Sequence, residues 1–123
     1  MAKILIVDDD PVARDILAEV VEAMGHSVLL SPDGAHALKT LQCDRRVAML
    51  VTDMAMPEMD GRELIRAAHK VPAHSKLPIA IMSGVVGPKE IADLLREGAE
   101  TFLPKPVKLA ELRECVVSII GAR

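Results

Sequence analysis

Short apolar runs alternate with longer stretches of helical spacing along the chain. The runs are KILIV (3–7), SVLL (27–30), VAMLVT (47–52), PIAIM (78–82) and TFL (101–103). Several are rich in Ile and Val, the pattern of strands covered on both faces. After the first run, apolar residues fall at Ala13, Ile16, Leu17, Val20, Val21 and Met24, the spacing of a helix packed on a core. Asp10 is placed to cap that helix, Pro11 suits its first turn and Gly25 its end. Leu38 and Leu41 mark a weaker second helix. Asp60 suits the cap of a third, which carries Leu64, Ile65 and Ala68. A fourth carries Ile91, Leu94 and Leu95 and ends near Gly98; the last carries Leu109, Leu112, Val116, Ile119 and Ile120.

Strict strand–helix alternation predicts an α/β fold, a parallel sheet with helices on both faces and right-handed crossovers. The 123 residues contain no linker, repeat or low-complexity stretch, so one domain over 1–123 is expected.

Composition narrows the function. The formal charge of −3 gives no footprint for nucleic acid, and Phe102 is the only aromatic residue available for stacking. The N-terminus meets Asp8, Asp9 and Asp10 too early for a signal peptide, and no apolar run could cross a bilayer. No membrane or direct nucleic-acid partner is expected, and the cytoplasm is the expected location. Cys43 and Cys115 lack a Cys or His at metal spacing and are expected to be buried free thiols. The seven Met residues suit gap-filling in a core poor in aromatics.

In a doubly wound sheet, ligands bind beyond the carboxyl ends of the strands, where the strand order reverses. Asp8, Asp9 and Asp10 follow the first run, Asp53 the third, Ser83 and Gly84 the fourth, and Lys105 the fifth. The second offers Ser31, Pro32 and Asp33. Asp10 reads as a helix cap. Taken singly, the others have ordinary readings as turn, loop or solvated residues. Together they are harder to dismiss, because carboxylates on one edge repel each other unless a cation is present. An oxygen-only donor set points to Mg²⁺. A lysine and a hydroxyl beside it are what an incoming phosphoryl group needs, neutralising charge and donating hydrogen bonds.

The segments ILIVDDDPVAR, LVTDMAMPEMDG, PIAIMSG and FLPKPV stand in that order along the chain. With them the sequence resembles the receiver domain of two-component response regulators, of the chemotaxis-regulator type. The resemblance covers essentially the whole chain. It implies a flavodoxin-like five-stranded parallel sheet in order 2-1-3-4-5 with five helices. Asp53 matches the phosphoacceptor. Asp8 and Asp9 match the Mg²⁺-holding acids, with Asp9 the more direct ligand, and the Ala55 carbonyl matches a third protein ligand; Mn²⁺ is expected to substitute. Lys105 matches the family lysine, followed by Pro106 in a bond that is usually cis. Ser83 and Phe102 match the switch pair, and Phe102 lacks the hydroxyl of the frequent Tyr, so it would act by packing. Ala55 and Val85 flank the site with apolar side chains, which is expected to alter the lifetime of the phosphorylated state.

The implied function is a phosphoacceptor switch that catalyses only its own phosphorylation and dephosphorylation. Its donor would be a sensor histidine kinase or a histidine phosphotransfer protein. A loop at 83–90, loosened by Gly84 and Gly87, would reshape the face made by the fourth helix, fifth strand and fifth helix. That face would meet a downstream protein target or a fused output domain, and many such domains dimerise when phosphorylated. Two other readings fit less well. A haloacid-dehalogenase-type phosphohydrolase would use Asp8 as nucleophile and Asp10 as acid/base. However, no acidic motif follows Lys105 on a later strand, and Asp53 would have no task. A phosphorylation-independent binding module with the same fold would be expected to lose one of the acids, and none is missing.

Overall fold

The computed structural model describes residues 2–84 and 87–121. Its strands are β1 (Lys3–Val7), β2 (Ser27–Ser31), β3 (Val47–Asp53), β4 (Ile79–Ser83) and β5 (Thr101–Pro104). Between and after them run α1 (Pro11–Ala23), α2 (Gly34–Cys43), α3 (Gly61–His69), α4 (Pro88–Glu97) and α5 (Leu109–Ile120). All strand pairs are parallel, and the sheet order is β2-β1-β3-β4-β5, as expected.

Alternation along each strand divides the core into two layers. Leu5 and Val7 of β1, with Leu50, Ile79 and Ile81, meet Ala37 and Leu41 of α2, Leu64, Ile65 and Ala68 of α3, and Leu94 of α4. Ile4 and Ile6, with Met49, Val51, Ala80 and Met82, meet Leu17, Ala18 and Val21 of α1 and Leu112, Cys115 and Val116 of α5. The strand runs are therefore apolar throughout because helices cover both faces. Met49, Met56 and Met82 are buried among them, in keeping with a gap-filling role.

The helix starts follow the sequence signals. The Asp10 side chain accepts from the Val12 N–H at 3.0 Å, with Pro11 in the first turn of α1. Asp33 caps α2 by accepting from the His36 N–H at 2.8 Å. Asp60 and Glu63 form a reciprocal capping box on α3. Gly25 and Gly98, just past α1 and α4, have φ of +93° and +120°, which L side chains rarely adopt.

Three expectations need correction, and one element had no counterpart in the sequence pattern. Cys43 is exposed, because it ends α2 on the solvent side while Leu41 turns inward; only Cys115 is buried. Ile16, Leu95 and Leu109 keep close to half of their surface in contact with solvent. Helical spacing marks a broader stripe than the sheet covers: Leu17, Ala18 and Val21 fill the contact for α1, and Leu94 for α4. Strands β2 to β5 each run one residue further at the carboxyl end than their apolar runs. A 3-10 turn at Pro72–His74, unmarked by any apolar period, buries His74, whose Nε2 bonds the Asp44 carbonyl oxygen at 2.8 Å.

Candidate functional site

Strand register brings the polar strand ends to one edge. Val7 pairs with Thr52, so the next residues, Asp8 and Asp53, emerge side by side from β1 and β3. The chain reaches β2 on one side of β1 and β3 on the other, so this pair stands where the strand order reverses. Asp53 pairs with Met82 and Ser83 with Pro104, which puts Ser83 and Lys105 at the same edge. Asp8, Asp53 and Ser83 are all buried, at 2%, 3% and 8% exposure, whereas Asp9 is exposed.

Carboxylate oxygens of Asp8, Asp9 and Asp53 lie within 4.8 Å of one another. Lys105 Nζ donates to Asp53 Oδ2 at 2.6 Å, and the Ala55 N–H donates to Asp53 Oδ1 at 3.3 Å. The Lys105–Pro106 peptide bond is cis. Beyond Asp53 the chain is steered by two contacts: the Met54 N–H bonds the Met82 carbonyl, and the Gly61 N–H the Met54 carbonyl, both at 2.8 Å. A side chain at Gly61 would meet Asp53 O and Met54 Cα at 2.9 Å, so α3 starts against the Asp53 backbone only because that residue is glycine.

Burial pushes the Asp8 carboxyl above its ordinary range; the Asp10 N–H at Asp8 Oδ1 works the other way, and the charge of Asp53 adds to the rise. A cation would relieve this repulsion. The donor atoms are hard oxygens with no His or Cys among them, and this set would suit Mg²⁺. Beside the acids opens a cavity of about 360 Å³. Lys105 and the carboxylates line it together with Ala13, Ile16, Leu17, Val107 and Leu109. Such an arrangement can accept a phosphoryl group at a strand-end carboxylate with positive charge on hand.

Asp10 contributes to the rim but spends a carboxylate oxygen on the α1 cap. Phe102 is partly buried against the layer that contains α3 and α4. Ala55 is exposed just past β3. Val85 lies outside the described residues, as does Val86 of the 83–90 loop. Arg14 was not among the sequence candidates: its Nη1 donates to the Asp8 carbonyl oxygen at 3.0 Å. Only its place one helical turn beyond the acids hinted at this. Among the described residues, no helix is long and apolar enough to cross a membrane.

Comparison with known proteins agrees with this geometry. The family model for the response regulator receiver domain matches residues 4–117. The two-component response regulator ORR3 of rice is 35% identical over 109 residues, covering 89% of this chain and 83% of its own. Chemotaxis protein CheY4 of Vibrio cholerae superposes with a TM-score of 0.91 at 27% identity, over 97% of this chain and 98% of that one. The receiver domain of a sensor histidine kinase from Pseudomonas aeruginosa, with a magnesium ion coordinated in its active site cleft, gives 0.87 at 26% identity over 98% of both chains. With strand order, strand-end acids and family model in agreement, the chain belongs to the response regulator receiver domain family.

Proposed function

We propose that this receiver domain, over residues 1–123, is a phosphoacceptor switch in which Asp53 takes the phosphoryl group of a phosphohistidine. The observation that carries the reading is the juxtaposition at Asp53: two further acids with oxygens within 4.8 Å, and the Lys105 ammonium at 2.6 Å.

An Asp53 carboxylate oxygen attacks phosphorus as the P–N bond to the donor imidazole breaks. The bonding pair returns to the ring nitrogen, and Asp53 becomes an acyl phosphate. Asp8, Asp9, Asp53 and the Ala55 carbonyl would hold Mg²⁺, or Mn²⁺ in its place, which when bound neutralises charge on the attacking and transferred oxygens. Lys105 exchanges its Asp53 oxygen for a phosphoryl oxygen, and the Ser83 hydroxyl donates to another. The same site releases the phosphoryl group to water, so the only reactions catalysed are the domain's own.

Phosphorylation biases an existing equilibrium, because it stabilises the arrangement with Ser83 drawn toward Asp53. Phe102 follows into the space vacated, and the α4-β5-α5 face changes for a downstream target or a fused output domain. The donor is a sensor histidine kinase or a histidine phosphotransfer protein, the setting cytoplasmic, and dimerisation on phosphorylation one form the output takes. No observation favours the phosphohydrolase: its acid/base, Asp10, is exposed and engaged at the α1 cap.

Site mapping tests the assignment. After incubation with a small phosphodonor and Mg²⁺, borohydride reduction should convert one aspartyl phosphate to homoserine. The reading requires that residue to be 53; conversion at position 8 would transfer the chemistry to the hydrolase reading.

A further inference from the structure

We infer that Arg14 is a positioning residue for the cation site, fixing the backbone of Asp8 so that the Asp8–Asp9 pair is ready to receive a divalent ion. The inference rests on the Mg²⁺-holding reading of those acids given above.

Asp8 is held at three points. Its N–H donates to the Ser31 carbonyl oxygen at 3.2 Å, continuing the β1–β2 pairing past the end of the strand. Its Oδ1 accepts from the Asp10 N–H at 2.9 Å. Its carbonyl oxygen accepts from Arg14 Nη1 at 3.0 Å. The first two contacts are made by main-chain N–H groups, which any sequence supplies. The third requires a long side chain with a fixed donor fork, reaching back from α1 across the acid turn. The Arg14 N–H also donates to the Asp10 carbonyl oxygen at 2.9 Å, so one residue closes the first turn of α1 and grips the last carbonyl before Asp9.

The arrangement is a poor one for stability. Arg14 Nε is buried and, among the described residues, has no hydrogen-bond partner. Leaving a donor on a charged group buried and unpaired costs stability; a methionine would cover the same apolar stem without that donor, at the loss of the bond to the Asp8 carbonyl. In return the fold gains a rigid Asp8 carbonyl. With the main chain clamped on one side of it, Asp9 projects from a fixed backbone toward the oxygens of Asp8 and Asp53. Groups that hold metal ligands in place commonly change affinity by about ten- to a hundredfold without touching the ion.

The charge of Arg14 acts in the opposite sense, which makes the test decisive. A cation beside the acids competes electrostatically with Mg²⁺, so if charge alone mattered, its removal would tighten binding. If positioning dominates, its removal weakens binding. The chain has neither Trp nor Tyr, so calorimetric titration of Mg²⁺ into the full chain replaces fluorescence. Wild type, Arg14→Met, Arg14→Lys and Asp9→Asn are compared, with melting temperatures in EDTA as a metal-free readout. We expect Arg14→Met to bind Mg²⁺ roughly tenfold more weakly, the lower end of what removing such a support costs. Arg14→Lys should fall between Met and wild type, and both variants should melt cooperatively in EDTA, so that the change in affinity is read on folded protein. Equal or tighter Mg²⁺ binding by Arg14→Met, with wild type binding normally, overturns the positioning role alone. Should Arg14→Met fail to fold, wild-type affinity in Arg14→Lys overturns it equally. A wild type that binds no Mg²⁺, or binds it as Asp9→Asn does, overturns the cation site itself and this inference with it.

Discussion

Lys105 Nζ lies 2.6 Å from Asp53 Oδ2 although β4 separates the strands that deliver the two residues. The Asp53 side chain is 5% exposed and that of Lys105 37%, so a buried carboxylate has a partly solvated ammonium as its counter-charge. Without Lys105 the buried charge is uncompensated. Lys105→Ala should destabilise the protein in EDTA by about 1–3 kcal/mol, less than a fully buried pair would lose because the lysine is partly in water. Mg²⁺ should recover more stability in this variant than in wild type. Denaturant unfolding with and without Mg²⁺ measures both; equal stability in EDTA would mean that the pair contributes nothing.

Asp8 supplies a pH test. Burial raises its folded value above the 3.8 of an ordinary aspartate, so folded protein holds this proton longer than the unfolded chain does. Its contribution to stability therefore falls as pH rises through that interval and stays unfavourable at neutral pH. In EDTA at pH 7, Asp8→Asn should melt a few degrees above wild type, and the gap should close as pH falls toward the ordinary aspartate value. Millimolar Mg²⁺ should raise the melting temperature of wild type and leave the variant unmoved. A variant that melts lower than wild type in EDTA at neutral pH would contradict the repulsion argument.

Glu58 has φ of +67°, and the Met59 N–H bonds the Pro57 carbonyl at 2.8 Å across it, closing a three-residue turn next to the site. A side chain is costly in that conformation. Glu58→Gly should stabilise by about 0.5–1 kcal/mol, after the larger entropy of unfolded glycine is subtracted. A raised urea midpoint with an unchanged slope is the expected outcome; a lowered midpoint would show that the turn is not strained.

The two thiols should separate chemically. Cys43 is exposed, whereas burial pushes the Cys115 thiol up to about 11. A thiolate-selective reagent at pH 8 should modify Cys43 quickly and Cys115 only after unfolding. Rapid modification of both in the native protein would contradict the packing of α5.

Much of the fold was legible because its signals are local. Asp10-Pro11 and Asp60 start helices with their own side chains, and alternate residues of KILIV serve the two core layers. The strand-end acids could be grouped because a parallel sheet must gather its carboxyl ends on one edge. Other features depend on distances that no spacing encodes. The Arg14 contact to the Asp8 carbonyl and the His74 bond to the Asp44 carbonyl arise only once helices and loops are docked. Cys43 and Ile16 misled for a related reason: apolar character marks a residue as able to be buried, while neighbouring Leu41 and Leu17 had already taken the core positions.

Asp53 as acceptor is tested most directly by intact mass after incubation with acetyl phosphate, with Mg²⁺ or EDTA, for wild type and Asp53→Asn. A single added phosphoryl group is expected on wild type in Mg²⁺, and none in EDTA or on the variant. An equal adduct on Asp53→Asn, or no adduct on wild type in Mg²⁺, would contradict Asp53 as the acceptor.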